Sequence, residues 1–322
     1  MPEMGPRLVA ARGAATLMER RCRRSDRAVG LVIMHHEVAP AHGDPEHELL
    51  PALGRDVFEA QLEYLGRHYE VVPLRGLVDR ARQRVRGQRI PATLTFDDDL
   101  TNHVEIVAPL LERFGFPATF FLNGNALERP SPFWWQDLQV IINRGPGAVS
   151  ELRRELAGQW PWAGVDGPIS DLTGTIEALP ASQRDAVAAR LRELAGDEFL
   201  EQGLRAEAIR GLAERGFEIG VHTRRHYALP TLDDDELERA MHDGVEELEA
   251  AVGYRPSAIG YPHGKADLRV ADAARRAGFD LGAICTHQAA GPEQHPLLLD
   301  RVAGWTSSLG QFAWALGRLS MA

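Results

Sequence analysis

Cysteine is almost absent from this chain. The two that occur, Cys22 and Cys285, form no CxxC motif, so the sequence offers no disulfide framework and suits a reducing compartment. An excess of positive charge is also missing, because 36 Lys and Arg face 46 Asp and Glu for a formal net charge of -10. This balance argues against a nucleic-acid partner and favours sugars, small molecules or proteins.

Long apolar runs are missing as well, since none approaches the length of a transmembrane helix. Near the start, Arg12 interrupts the only apolar stretch and further arginines follow, a pattern that differs from a signal peptide. We therefore expect a cytoplasmic protein. Residues 7–27 could form a basic amphipathic helix at the anionic inner surface of a membrane, but a surface helix of the domain is favoured.

The 322 residues, 44% of them hydrophobic, are enough to bury a large core. Short β-branched and apolar runs alternate with segments of helical periodicity, which indicates βα units around a parallel sheet or barrel. The predicted strands are 31–36, 70–74, 92–97, 118–123, 217–222, 258–262, 281–285 and 297–302. The predicted helices are 57–68, 103–115, 234–253 and 268–278. We expect a basic segment at 1–28 and one barrel-like α/β domain at 29–322.

The block at about 126–202 breaks this alternation. It contains Trp134, Trp135, Trp160 and Trp162, proline-rich joints and two helical patterns without a clear strand. We interpret it as an insertion that caps or borders a functional site.

Three consecutive aspartates, Asp97, Asp98 and Asp99, end the predicted strand 92–97 in the stretch TLTFDDD. Adjacent carboxylates repel one another, so either a bound cation or a solvated turn must accommodate them. His222 also ends a predicted strand, and His226 follows four residues later. On a helical turn, this spacing points both imidazoles the same way.

Two imidazoles and a carboxylate suit Zn²⁺, Co²⁺, Ni²⁺ or Fe²⁺ better than Mg²⁺ or Ca²⁺. Each motif alone has a simpler explanation. The histidines could be surface or capping residues, and Asp99 or Thr101 could cap the following helix. Their combination at two strand ends favours a metal site.

Together these motifs resemble the polysaccharide deacetylase family, also called carbohydrate esterase family four or the nodulation-type chitooligosaccharide deacetylase domain. Thr95-Phe96-Asp97-Asp98, GFPATFFLNG at 115–124 and His-Thr-x-x-His at 222–226 follow the family's order. The resemblance covers roughly 30–124 and 203–302 and leaves the tryptophan-rich block unmatched. It implies a distorted (β/α) barrel with fewer than eight repeats, and metal-dependent removal of an acetyl group from a sugar.

By position, the resemblance implies that Asp97 is the general base and that Asp98, His222 and His226 hold one divalent metal ion. Zinc is the expected ion, with cobalt, nickel or iron as alternatives. The chemistry is consistent, because a metal lowers the pKa of bound water and a neighbouring carboxylate can take its proton. Asp99 stands where the family usually has glycine, and we expect it to cap the helix near Thr101 rather than add charge to the site.

Gly260-Tyr261-Pro262-His263-Gly264 resembles the family's R-x-P-x-G motif, with Gly260 in place of the arginine. In related sequences of this type an arginine on the last strand takes that place, so Arg301 is expected to orient Asp97. The backbone N–H of His263 would stabilise the tetrahedral oxyanion. Without the other motifs, YPHG would be interpreted as a turn. The motif contributes three candidate substrate-binding residues: Tyr261, Pro262 and His263.

Proton donation to the leaving amine is not settled by the sequence, because the family's late Leu-x-His motif has no clean copy. His287 is the best substitute by order and location, with His295 and His36 as alternatives. His36 lies in a stretch, HHEV, that resembles Tyr-His-Arg-Val of one subgroup. It is expected at the rim of the site or as a structural histidine bonded to a loop carbonyl.

Tryptophan rings can stack on sugars, so Trp134 and Trp135, and less so Trp305, are candidate subsites, with core packing as the alternative. The expected function is a metal-dependent hydrolase that deacetylates an N-acetylated amino sugar in a polysaccharide, oligosaccharide or glycosylated precursor. One alternative is a cyclic imide or amide hydrolase, which needs a small closed pocket. Another is a weakly catalytic glycan-binding protein, against which the intact Asp97 argues.

Overall fold

The computed structural model describes residues 15, 17–129, 131–164, 167–198, 203–306 and 308–321. Its scaffold is a parallel sheet in which eight strands follow the order β10-β9-β8-β7-β6-β5-β1-β11 and β4 pairs with the start of β5. The strands are β1 Leu31–His35, β4 Tyr69–Val71, β5 Ile90–Asp97, β6 Ala118–Leu122, β7 Glu218–Val221, β8 Ala258–Gly260, β9 Leu281–Ile284, β10 Leu299–Asp300 and β11 Val302–Ala303. A separate parallel pair joins β2 Val38–Ala39 to β3 Leu53–Gly54.

The sheet is nearly closed into a barrel. Its two end strands, β10 and β11, are separated in sequence only by Arg301. The prediction of one strand at 297–302 is therefore wrong, because the chain passes from one edge of the sheet to the other at this residue. The other predicted strands are present with shifted ends, and the distorted (β/α) barrel is confirmed.

Helices surround the sheet. They are α2 Arg55–His68, α3 Leu74–Gln83, α4 Ala108–Phe114, α5 Trp134–Asn143, α6 Pro146–Ala157, α7 Ile169–Glu177, α8 Ala181–Ala195, α9 Ala206–Glu214, α10 Asp234–His242, α11 Val245–Val252, α12 Leu268–Arg276 and α13 Leu309–Leu319. The described residues 17–23 form part of a further helix, α1.

Two predicted helices differ in the structure. The predicted helix 234–253 is divided into α10 and α11, because Gly244 between them adopts a left-handed conformation with φ 83°. The predicted helix 103–115 starts with a π-helical turn at His103–Val107 before α4, which ends at the left-handed Gly115. Glycine adopts this conformation at little steric cost, so it commonly ends helices.

The main core lies inside the barrel and beneath the surrounding helices. All eight residues of β5 are buried, which explains its nearly continuous apolar sequence. Phe96 of β5 stacks on Phe120 of β6 with ring centroids 5.0 Å apart. Each such buried ring contributes about 1.5–3 kcal/mol relative to an exposed one. The rigid strand that results carries Asp97 at its carboxyl end.

The described residues of the tryptophan-rich block form four α-helices, α5 to α8, rather than the two predicted. It has its own hydrophobic cluster, which we call the block core. Its buried members include Leu138, Ile141, Leu152, Leu156, Leu172, Ile176, Val187 and Leu191. The helical block, residues 134–195, therefore packs around a core separate from that of the barrel.

Helix α1 packs against the domain. Buried Glu19 accepts hydrogen bonds from the hydroxyls of Tyr64 and Tyr69, and its other carboxylate oxygen lies 2.9 Å from His68 Nδ1. This agrees with the surface-helix alternative for residues 17–23, while 7–14 and 16 of the predicted helix lie outside the described residues. Among the described helices, none combines the length and apolar character needed to span a bilayer.

Candidate active site

The carboxyl ends of β5 and β7 bring Asp98, His222 and His226 together. One possible ligand atom from each lies within 4.8 Å of the others. Asp98 Oδ1 is 3.9 Å from His222 Nε2 and 3.8 Å from His226 Nε2. All three side chains are buried. The structure thus places a carboxylate and two imidazoles around one point.

The orientation of His222 is set by neighbouring backbone. Its Nδ1 lies 2.7 Å from the carbonyl oxygen of Gly260, which can only accept, so Nδ1 carries the proton and Nε2 is left free to bind a metal. The side-chain amide of Asn123 donates to the carbonyls of His222 and Thr223, at 3.1 and 2.9 Å. These bonds fix the start of the loop that leads to His226.

This loop is not helical, so the expectation of a helical turn between the two histidines is wrong. Thr223 and His226 both adopt left-handed conformations, with φ 52° and 49°. Such conformations cost of order 1–3 kcal/mol each in residues other than glycine and persist only where the surroundings hold them. The convergence of the two imidazoles therefore depends on tertiary contacts rather than on helical periodicity.

The donor set fits a divalent transition-metal ion. Asp98 Oδ1, which faces both imidazoles, is buried and has no hydrogen-bond partner among the described residues. Burial, together with the charges of Asp97 and Asp99, raises the pKa of Asp98 well above its usual value. A cation would favour the ionised form, and two imidazoles with one carboxylate are ligands that zinc binds readily.

Asp97 is paired with the buried Arg301. Arg301 Nη1 donates to Asp97 Oδ1 at 2.7 Å, and the arginine is fully buried. Burial raises the pKa of Asp97, but Arg301, His222 and His36 outweigh it and lower the pKa to about 2. Asp97 Oδ2 lies 3.8 Å from His222 Nε2. An ionised carboxylate therefore lies directly beside the candidate metal ligands.

Asp99 does not cap the following helix, so that expectation is wrong. Its carboxylate points to the loop after β6, where Oδ1 accepts from the backbone N–H of Asn123 at 2.8 Å and Oδ2 from that of Asn125 at 3.1 Å. Burial nevertheless raises its pKa to about 6, against the effect of these bonds. Asp99 therefore organises the loop that carries Asn123.

A cavity of about 570 Å³ lies over these groups. Its walls include Asp97, Asp98 and His226 from the barrel, and Trp135 and Glu177 from the helical block. A second cavity of about 710 Å³ adjoins it and shares Asp98 and Trp135 as walls. The site is thus an extended cleft rather than a small closed pocket.

Two of the three candidate proton donors lie at this cleft. His36 lines both cavities, with its Nε2 4.0 Å from Asp97 Oδ2 and its side chain 35% exposed. His287 lines the smaller cavity and adopts a left-handed φ of 58°. His295 is exposed and lines neither of these two cavities.

The GYPHG motif contributes one side chain to the cleft instead of the three expected. His263 lines the smaller cavity, with its ring 4.6 Å from that of His226 and Nδ1 3.6 Å from Glu177 Oε2. Tyr261 and Pro262 are buried and line neither described cavity. A Cβ built on Gly282 of β9 would lie 2.7 Å from the Tyr261 hydroxyl. The tyrosine ring therefore packs closely against this strand.

The tryptophans occupy two parts of the cleft. Trp134 and Trp135 are only 5% and 9% exposed but both line the smaller cavity. The Trp135 ring lies 4.6 Å from the His226 ring. Trp305 is 36% exposed, stacks on His42 and lines the larger cavity. All three rings are therefore placed where a bound ligand could contact them.

Several neighbours were not anticipated from the sequence. His103 is buried, with Nε2 3.2 Å from the carbonyl oxygen of His36. Asn123 donates to the His222 carbonyl. It is the last residue of the predicted strand 118–123, so its position at a strand end could have identified it as a site residue. Glu177 and Arg184, which contacts the loop of His226, lie in the helical block. The sequence of that block contains no motif that would have identified Glu177 or Arg184 as site residues.

The family comparison assigns this distorted (β/α) barrel to the class of carbohydrate-deacetylating hydrolases. The chain belongs to the polysaccharide deacetylase family, because the family model described as Polysaccharide deacetylase matches residues 85–161 and 166–282. The suspected resemblance is thus confirmed. The match also runs through most of 126–202, so the expectation that this block is unmatched is wrong.

Solved structures share the fold at low sequence identity. The deacetylase PplD from Streptococcus pyogenes, in complex with acetate, matches with a TM-score of 0.58 and 15% identity over 91% of this chain and 98% of that chain. IcaB from Ammonifex degensii matches with a TM-score of 0.55 and 16% identity over 91% and 97%. BC0361, a polysaccharide deacetylase from Bacillus cereus, matches with 0.56 and 17% over 89% and 69%. No curated protein matches the chain.

Proposed function

We propose that this protein is a metal-dependent hydrolase that removes the acetyl group from an N-acetylated amino sugar in a glycan or glycosylated precursor. The observation that supports this most directly is the convergence of Asp98, His222 and His226 beside an ionised Asp97, at the floor of a cleft. Family membership supports the reaction class. The geometry supports the particular roles proposed below.

We assign the metal to Asp98, His222 and His226, with zinc as the expected ion and cobalt, nickel or iron as alternatives. Such an ion supplies Lewis acidity, which lowers the pKa of water and polarises an acetyl carbonyl. Asp97 is proposed as the general base, since Arg301 keeps its carboxylate ionised and ready to accept a proton.

Proton donation to the leaving amine is proposed for a histidine at the cleft. His287 and His36 both line the smaller cavity, whereas His295 lines neither cavity and is not part of this proposal. The backbone N–H of His263 is the proposed oxyanion donor. Tyr261 and Pro262 are proposed to support that backbone from below rather than to contact the sugar.

The sugar is proposed to pack against Trp134 and Trp135 at the helical block, which we regard as an insertion bordering the site. An indole face provides apolar surface for the C–H groups of a pyranose. The two adjoining cavities favour an extended ligand. The size of these cavities argues against the cyclic imide alternative, which needs a small pocket. The ionised Asp97 argues against a protein that only binds glycans, because a general base is needed only for catalysis.

A cytoplasmic location and, secondarily, a peripheral contact with anionic membrane are also proposed. The basis for the contact is the outer side of α1, where Leu17 is 69% exposed and the exposed Arg20, Arg21 and Arg24 follow at helical spacing. Co-sedimentation with anionic vesicles tests it. If a variant without these arginines binds the vesicles as well as the wild type does, the proposed contact is refuted.

The central experiment measures metal content and acetate release in the same preparations. Wild type, Asp97→Asn and His222→Ala are loaded with zinc, and acetate release is followed from N-acetylglucosamine oligomers and from lipid- or nucleotide-linked N-acetylamino sugars. His242→Ala is the control, because His242 is an exposed histidine on α10.

We expect acetate release by wild type and by His242→Ala, retained metal with lost activity in Asp97→Asn, and lost metal in His222→Ala. Absence of metal from zinc-loaded wild type would refute the metal site. Stoichiometric metal without acetate from any of these sugars would refute the proposed substrate class.

A further inference from the structure

Arg184 is a buried charged residue of the helical block. It lies in the first turn of α8 and is only 4% exposed. The same helix contributes Ala181 to the main core and Leu191 to the block core. The guanidinium of an arginine stays charged at neutral pH. Burying a cation is unfavourable unless its donors are used.

Two of the three donor nitrogens of Arg184, Nη1 and Nη2, are used on the loop that carries His226, whereas Nε has no hydrogen-bond partner among the described residues. Its Nη1 donates to the carbonyl oxygen of His226 at 2.7 Å, and its Nη2 donates to the carbonyl oxygen of Arg225. Its guanidinium carbon lies 4.4 Å from the centroid of the Tyr227 ring, at the distance of a cation–π contact. One side chain thus holds three consecutive residues around a candidate metal ligand.

Asp185, the next residue of α8, holds the same loop at a second place. Its carboxylate accepts from the Tyr227 hydroxyl at 2.8 Å and from Arg225 Nη1 at 2.9 Å. Arg225 and Asp185 are both partly exposed, so this pair contributes less than a buried one. Arg184, being buried, is the stronger constraint.

His226 needs such a constraint because of its conformation. It adopts a left-handed φ of 49°, which non-glycine residues keep only where surrounding contacts enforce it. On the ring side, Trp135 of the helical block lies 4.6 Å away. The block therefore contacts His226 at both its side chain and its backbone.

We propose that Arg184 is a positioning residue of the metal site, through which the helical block fixes the backbone of His226 and so aims its imidazole at Asp98 and His222. The inference rests on the metal site of the proposed function. It makes the block a part of the metal-binding apparatus as well as a border of the cleft. Loss of a partner that orients a metal ligand typically lowers metal affinity or activity by about 10–100-fold.

The test compares full-length Arg184→Gln, Arg184→Lys and wild type, with Gln183→Ala as the control on an exposed position of the same helix. Zinc affinity is measured by competition with a chromogenic chelator. The geometry of the site is followed by the visible absorption spectrum of the cobalt-loaded protein. Thermal unfolding of the metal-free proteins shows whether each variant folds.

We expect Arg184→Gln to bind zinc about 10–100-fold more weakly than wild type and to show an altered cobalt spectrum. Arg184→Lys keeps the charge but lacks the planar fork that reaches two carbonyls, so its affinity should lie between those of Arg184→Gln and wild type. Gln183→Ala should match wild type in affinity and spectrum.

Wild-type affinity and an unchanged cobalt spectrum in a folded Arg184→Gln would overturn the proposal and leave Arg184 with a packing role only. If Arg184→Gln does not fold, Arg184→Lys provides the same test, because affinity equal to wild type would overturn the proposal. Failure of wild type itself to bind zinc would overturn the proposed metal site, which is a distinct outcome.

Discussion

Replacing Arg301 by glutamine should move the acidic limb of the pH–rate profile upward. In the structure, Arg301 is fully buried and its Nη1 lies 2.7 Å from Asp97 Oδ1. Burial alone raises the pKa of Asp97, and Arg301 is the largest influence that lowers it, to about 2. Without the arginine, the effect of burial should dominate.

The size of the shift can be estimated from Coulomb's law. Two unit charges about 4 Å apart, at an effective dielectric constant of about 20, interact by about 4 kcal/mol. This corresponds to about 3 pKa units. Measured shifts of an aspartate beside an arginine are about 1–3 units, so we expect the acidic limb of kcat/KM to rise by that amount.

The sign of the stability effect follows from the same shift. Because the folded pKa of Asp97 is lowered from 3.8 to about 2, its contribution to stability is present above pH 3.8 and is lost as the pH falls through about 2. A shift of this size is worth roughly 2 kcal/mol. Arg301→Gln should remove this contribution at neutral pH, where the unpaired buried carboxylate becomes unfavourable.

The assay is acetate release by zinc-loaded enzyme from about pH 2 to 9, together with urea unfolding at pH 7. Arg301→Lys is the control, because it keeps a cation near Asp97 although it lacks the guanidinium fork. Its acidic limb should lie below that of Arg301→Gln. The reasoning is refuted if Arg301→Gln lowers the rate equally at every pH while its acidic limb stays at the wild-type position.

Three further substitutions test other contacts. Asp99→Ala should cost about 1–3 kcal/mol in urea unfolding, because two backbone N–H groups lose their acceptor; an unchanged midpoint would contradict this role. Gly260→Ala should cost about 1–3 kcal/mol and weaken zinc binding, since the new Cβ would lie 2.7 Å from the Phe121 ring and displace the carbonyl that holds His222. Leu191→Ala should cost about 2–5 kcal/mol and speed hydrogen exchange in the helical block more than in the barrel; equal changes in both would argue against a separate block core.

Periodicity predicted the sheet because its strands are mainly apolar and buried, with β5, β6 and β8 buried over their whole length. It failed at the last strand, where Arg301 is fully buried between β10 and β11. A buried arginine in the middle of an apolar run gives no local sign that the strand is interrupted there. The break at Gly244 did have a local signal, since glycine favours the left-handed conformation that separates α10 from α11.

The sequence located the residues of the site better than it described their conformation. Asp97, Asp98 and His222 end buried strands, so the order of strands in a parallel sheet brings them to one edge. The position of His226 depends on Arg184, which is 42 residues away in sequence. Spacing within a motif contains no information about such a distant contact.

Each of the three adjacent aspartate carboxylates meets a different environment. Asp97 pairs with Arg301, and Asp99 accepts backbone N–H groups from the loop after β6. Asp98 adopts a left-handed φ of 73°, and its Oδ1 has no hydrogen-bond partner among the described residues. A buried carboxylate in this position is unfavourable unless a positive charge compensates it. Of the three, Asp98 alone has no positive or N–H partner for Oδ1 among the described residues, and it is the one that faces the two histidines.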